Sequence, residues 1–280
     1  MLSNINIGKS IALLRKQNGF TQDDLAEKLG ITAQAISKWE NGHTLPETAL
    51  LPLLATILNS SIDSILMPST VKTGDVISFG NYQWRVLQVN DNNALIITET
   101  TIGKAPYCDI ANNVTWECCS LRKYLNKDFY NKFTETEKSQ ILETKVTDRN
   151  NPWYDVKCSS PTFDYIFLLS YDEVVRYFGD SGDLNNKNGM YCSKDGTFTP
   201  IAKKSMYTKM AHGDAIFDKY NDNRKVKNIN GDDDWWWLRS PGGQGMKTAG
   251  SIGYLGEIWL CGDDAYRVDG GIRPALWLNL

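Results

Sequence analysis

Histidine is nearly missing from this 280-residue chain, which holds only His43 and His212. That scarcity argues against an imidazole-based metal centre, and the six cysteines, at positions 108, 118, 119, 158, 192 and 261, contain no C-x-x-C pair to replace it. They read as thiols of a reducing compartment, so neither a disulfide framework nor a metal site is expected. Long apolar runs are absent too. No stretch approaches the length of a membrane span, and Met1 to Gly8 is polar where a secretory signal would be apolar, so the expectation is a cytoplasmic chain with no membrane partner. There is no G-x-S-x-G elbow, phosphate-binding loop, dinucleotide fingerprint or H-E-x-x-H. His212, in KMAHGD, has no nucleophile beside it in sequence and reads as a loop or helix-end residue. No catalytic residue, cofactor or enzymatic activity is therefore expected. Charge of one sign is lacking as well: the formal net charge is -3, which gives no global field to draw the chain to nucleic acid.

What is present points to two domains. A length of 280 residues exceeds what one core usually supports. The hydrophobic period also changes from helical to alternating after Met67-Pro68, so the expected division is 1–68, a linker at 69–74, and 75–280. In the first part, Ile7, Ile11, Leu14, Leu25 and Leu29 recur at helical spacing and can share one small core. Gly19 ends a first helix, and Thr21 caps a second with Asp24 near its positive end. Leu29-Gly30-Ile31 makes a tight turn, after which Thr32 caps a third helix that Asn41-Gly42 stops. Ile36 and Trp39 should face inward from that helix, leaving Ala33, Gln34, Ser37 and Lys38 outward. Such a face suits the major groove: Gln34 can pair with adenine, Lys38 can donate to guanine or a phosphate, and Ala33 can touch a thymine methyl. Gln22 and the backbone amides beside it can reach a phosphate. Pro52 opens a fourth helix and Ile62 to Met67 forms a fifth.

The run Q-x-x-L-A-x-x-L-G-I-T-x-x-x-I-S-x-W-E-N-G, between Gln22 and Gly42, resembles the helix-turn-helix of the Cro/phage-repressor (Xre) family, with the resemblance extending over roughly residues 5–67. The resemblance implies an all-α, five-helix DNA-binding domain of bacterial or phage type that binds double-stranded DNA as a homodimer on two half-sites. It also implies base contacts from Ala33, Gln34 and Lys38, phosphate contacts from Gln22, Ser37 and Asn41, Thr32 within the same DNA-facing set, and a structural ion pair between Arg15 and Glu40. Residues 1–68 carry five basic against six acidic side chains, so nonspecific affinity should be weak. The bland alternative is a helical bundle that mediates protein contacts.

The remainder reads as α+β and β-rich. Val76 to Val89 alternates around a turn at Gly80-Asn81, followed by a turn at Asn90 to Asn93 and a strand at Ala94 to Thr98. Helices are expected after Ser120, over Thr134 to Ile141 and after Ser170, with a buried strand at Ile166 to Leu169 and a polar loop from Gly179 to Gly196. Trp235, Trp236 and Trp237 must alternate in a strand, so one face is expected to pack inward and Trp236 is a candidate to stack a ligand. Arg239 and Arg273 have two readings, buried guanidinium groups on backbone carbonyls or anion donors in a cleft. Gly231 to Asp234 reads as a solvated turn rather than a calcium loop.

The segments N-Y-x-W-R-V-L, V-T-W-E-x-C-S-L-R-x-Y-L-N, W-W-L-R-S-P-G and G-I-R-P-A-L-W resemble an uncharacterised bacterial domain family. More distantly, W-x-L-R-S with a terminal G-x-R-P-A is similar to the C-type-lectin-like fold of formylglycine-generating enzymes, whose catalytic cysteine pair has no counterpart here. The expected whole is a transcriptional regulator whose C-terminal domain binds an unknown ligand or protein. The competing expectation is a lectin-like binding or display protein with the helical domain as adaptor.

Overall fold

The computed structural model describes residues 4–66, 71–90, 92–109, 114–154, 156–188, 190–192, 198–200, 214–243 and 247–280. His212, Met67 and linker residues 69 and 70 lie outside them. The chain divides into two compact units: Met1–Lys72 with Val89–Ala94 and Asn279–Leu280, and Thr73–Gln88 with Leu95–Leu278.

The first unit is helical: α1 (Asn4–Gln17), α2 (Gln22–Leu29), α3 (Ala33–Glu40), α4 (Leu51–Ile57) and α5 (Ile62–Leu66). Helices this short are marginal alone. They persist because each contributes side chains to one core, among them Ile7, Ile11 and Leu14 of α1, Leu25 and Leu29 of α2, Ile36 and Trp39 of α3, Leu54 of α4 and Ile65 of α5. Pro52 sits in the first turn of α4, which follows a short 3-10 turn at Thr48–Leu50.

The second unit is built mainly of strands. Its opening hairpin pairs β1 (Val76–Phe79) with β2 (Tyr82–Asn90) around Gly80 at φ 56°, and β3 (Asn93–Thr98) follows. Then come α6 (Ser120–Tyr124), α7 (Glu135–Gln140), β4 (Ile141–Leu142), β5 (Thr144–Val146), β6 (Thr162–Asp164) and α8 (Tyr171–Phe178). The remaining strands are β7 (Met190–Cys192), β8 (Phe198–Pro200), β9 (Asp214–Ile216), β10 (Val226–Lys227), β11 (Asp233–Asp234), β12 (Trp236–Pro241), β13 (Thr248–Ile252), β14 (Ile258–Asp264) and β15 (Ala275–Asn279). A five-stranded sheet runs β1-β2-β3-β15-β4, and a six-stranded sheet runs β12-β13-β14-β9-β7-β8.

Several local expectations change here. The N-cap of α6 is Cys119, whose Sγ accepts from the Arg122 amide at 3.4 Å, while the Ser120 hydroxyl turns outward to accept from the Asp109 amide at 3.0 Å. That helix widens into a π turn at Leu125–Phe129, where the Asn126 side chain pairs with the backbone of Tyr165 and Ile166. Ile166 to Leu169 is buried, but only Phe167 forms a ladder bridge, to Ala275. The polar stretch from Gly179 contains a helical turn at Asp183–Asn186 and strand β7.

Candidate nucleic-acid interface

The outward face of α3 is set by what holds its two ends. At its start, Thr32 takes an extended backbone and its Oγ1 accepts from the Ala35 amide at 3.2 Å. Ahead of it, α2 is closed by Gly30 at φ 68°, a left-handed conformation that a side chain would resist. Thr21 and Asp24 form a reciprocal capping box at the other end of α2, and that hydrogen bonding to Thr21 holds the Asp24 carboxyl below its ordinary pKa. At the far end of α3, two glycines allow α1 to approach backbone to backbone. A Cβ on Gly8 would lie 2.1 Å from the Trp39 carbonyl oxygen, and one on Gly42 would lie 2.8 Å from the Ile5 Cα. Neither contact has a periodicity signature, and Gly8 sits inside a helix where glycine is intrinsically disfavoured.

Within this frame Ile36 and Trp39 are buried, whereas Gln34, Lys38 and Asn41 are exposed and Ala33 and Ser37 half-buried. Thr32 is exposed at the cap. Asn41 Nδ2 donates to the Ser37 carbonyl oxygen at 2.8 Å, so the proposed phosphate donors Asn41 and Ser37 already meet each other. Beneath the face, Arg15 reaches Glu40 with two hydrogen bonds, Nε to Oε1 at 2.6 Å and Nη2 to Oε2 at 3.1 Å. A third arm of Arg15 donates to the Phe20 carbonyl at 2.6 Å. The hydrogen bond to Glu40 raises the guanidinium pKa. Gln22 joins the same group: its Nε2 donates to Glu40 Oε2 at 2.7 Å. Sequence reading puts Gln22 at the surface and carries no sign of that bond, because the two residues are 18 apart and the contact exists only once α2 and α3 pack.

In the second unit the candidate ligand residues are enclosed. Trp236 is 0% exposed, and all six residues of β12 are buried, so no indole face remains for a ligand arriving from solvent. The expectation of a stacking face at Trp236 is therefore corrected: both faces of β12 are packed. Trp235 and Trp237 meet edge to face at 4.7 Å on one side, and on the other Trp236 packs against Phe178 and the guanidinium of Arg273. Arg273 donates through Nε to the Thr98 carbonyl, and burial pulls its pKa down to about 10. Arg239 donates to the carbonyls of Leu168 at 2.6 Å and Thr147 at 2.8 Å and pairs with Glu173. Both arginines are 3% exposed; their paired donors meet backbone carbonyls and, for Arg239, Glu173, while Arg239 Nε and Arg273 Nη1 are buried without a partner among the described residues, and this enclosure corrects the reading of them as anion donors in a cleft open to solvent. The expected solvated turn before the tryptophans is exposed at Gly231, Asp232 and Asp233, but Asp234 departs from it: it is fully buried, accepting from Thr101 Oγ1 at 2.8 Å and facing Lys104 Nζ at 3.1 Å. Among the described residues no group of His, Cys, Asp and Glu has metal-binding geometry, and no helix is long and apolar enough to cross a membrane.

Comparison with known proteins matches two families along the chain. Residues 11–65 match the helix-turn-helix family, and residues 91–280 match the family described as Domain of unknown function (DUF6273). An uncharacterised HTH-type transcriptional regulator of Bacillus subtilis, YazB, is 36% identical over 61 residues, which is 22% of this chain and 88% of that protein. A competence pilus inhibition repressor of Acinetobacter baylyi is 35% identical over 63 residues, 22% of this chain and 57% of the relative. Among solved structures, a c2 repressor protein in complex with synthetic operator 9T shares 32% identity over 22% of this chain and 96% of its own, with a TM-score of 0.22.

Proposed function

Since this chain belongs to the DUF6273 family through residues 91–280 and carries a helix-turn-helix domain at residues 11–65, we propose that it is a DNA-binding transcriptional regulator that reads a specific operator. The observation that carries the reading is the face of α3: polar Gln34 and Lys38 stand exposed beside small Ala33 and Ser37, on a helix anchored from behind by Ile36 and Trp39. The repressor and regulator names of the relatives support the same reading. In it, Ala33, Gln34 and Lys38 meet base edges, while Gln22, Ser37 and Asn41 meet phosphates and Thr32 belongs to the same DNA-facing set. A homodimer places two such helices on half-sites about one turn apart.

For the second unit the proposed role is recognition of a ligand or partner. Its W-x-L-R-S and G-x-R-P segments lie side by side, with Trp237 N donating to Gly271 O and Gly271 N to Trp235 O, both at 3.1 Å. That juxtaposition brings together the two segments whose similarity to C-type-lectin-like folds supports the binding reading. Selection from a random duplex pool tests the DNA reading. The wild type is expected to enrich a sequence with two related half-sites, and Gln34→Ala/Lys38→Ala is expected to enrich none while melting at the same temperature. A wild type without preference for any duplex would end the proposal.

A further inference from the structure

We infer that Glu40 is a positioning residue for DNA binding, fixing the donor end of the Gln22 side chain for a backbone phosphate. The inference rests on the DNA-binding reading above. A glutamine carboxamide has a donor end and an acceptor end, and only the donor end suits a phosphate. Glu40 offers acceptors alone, so the end of Gln22 that turns to it is Nε2, at 2.7 Å from Oε2. That nitrogen keeps a second hydrogen. Gln22 is the first residue of α2 and only half-buried, on the helix turn whose amides have no intrahelical acceptors.

Arg15 makes the arrangement workable in two ways. Its two hydrogen bonds fix the Glu40 carboxylate, and its charge offsets that carboxylate, so Glu40 can hold Gln22 without repelling the phosphate the amide is meant to meet. The pair is nearly closed to water, with side chains 9% and 8% exposed. Among the described residues, Glu40 is the α3 side chain to which the Gln22 carboxamide donates. Arg15, Glu40 and Gln22 thus form a chain from the buried base of the domain to its DNA-facing edge.

The test uses the full-length protein and the duplex it selects, with single neutral methylphosphonates placed at each phosphate in turn. Wild type is expected to lose roughly tenfold in affinity at one phosphate per half-site. Gln22→Ala should be indifferent at that phosphate, and Glu40→Gln should be too, because an amide at position 40 lets Gln22 flip. A folded Glu40→Gln protein that retains full sensitivity at the phosphate silenced by Gln22→Ala overturns the positioning role. Should Glu40→Gln fail to fold, side-chain 15N relaxation of free wild-type protein decides: an ordered Gln22 NH2 group is expected, and a freely rotating one overturns the inference. A wild type that selects no duplex is a different result, since it overturns the DNA-binding reading itself.

Discussion

Gly8 shows how one residue can govern the position of the recognition helix. Alanine there gains helix propensity, about 1 kcal/mol, but its Cβ would meet the Trp39 carbonyl at 2.1 Å, a contact that must be relieved by moving backbone against backbone. The steric term dominates, so Gly8→Ala is expected to destabilise the helical unit by about 1–3 kcal/mol, read as a lower midpoint in chemical denaturation, and to weaken operator binding by displacing α3. Asp148 makes a second residue-scale case. Burial pushes its carboxyl up to about 6 despite the opposing pull of Arg239 and Ser240, and among the described residues its Oδ2 is buried without a partner. A carboxyl whose folded value lies above its free value favours the fold most at acid pH, and that contribution is lost as pH rises through about 6. Asp148→Asn should therefore gain on wild type between pH 4 and 7, by up to about 1.4 kcal/mol per pH unit, in urea titrations at a series of pH values. Parallel stability curves would count against it.

Caps and packing divide the work at the scale of elements. Helix α3 has eight residues, too few to hold itself, so its stability comes from Ile36 and Trp39 and its starting point from Thr32. Thr32→Ala removes the hydroxyl that accepts from the Ala35 amide and is expected to cost about 1 kcal/mol, seen as a shift in the thermal midpoint of the helical unit. The capping pairs Thr21 with Asp24 and Ser170 with Glu173 follow from sequence spacing, because both partners lie within four consecutive residues. Strand β12 is the opposite case. Alternation correctly separates Trp236 from Trp235 and Trp237, but it says nothing of whether the second face is covered, and the structure covers it with Phe178 and Arg273. Cys119 likewise displaces Ser120 as the cap of α6 because the Asp109 amide donates to the serine hydroxyl.

For the whole molecule, charge sets the expected physics of binding. Of the five basic residues through position 68, Arg15 is buried in its pair with Glu40, leaving Lys9, Lys16, Lys28 and Lys38 to neutralise phosphates. At about 0.9 per phosphate neutralised, the slope of log affinity against log salt should not exceed about 4 per bound protomer. A salt titration of operator binding checks this, and a steeper slope would show that cations beyond residue 68 join the interface. Sequence alone determined the helix-turn-helix and the outward set on α3, because caps, turns and apolar spacing are local and repeat at 3.6 or 2 residues. Tertiary structure decided the rest. The approach of α1 at Gly8, the bond from Gln22 to Glu40, and the enclosure of Trp236, Arg239 and Arg273 all join residues distant in the chain, and burial is a property of what arrives on the other face of an element, which periodicity within that element does not encode.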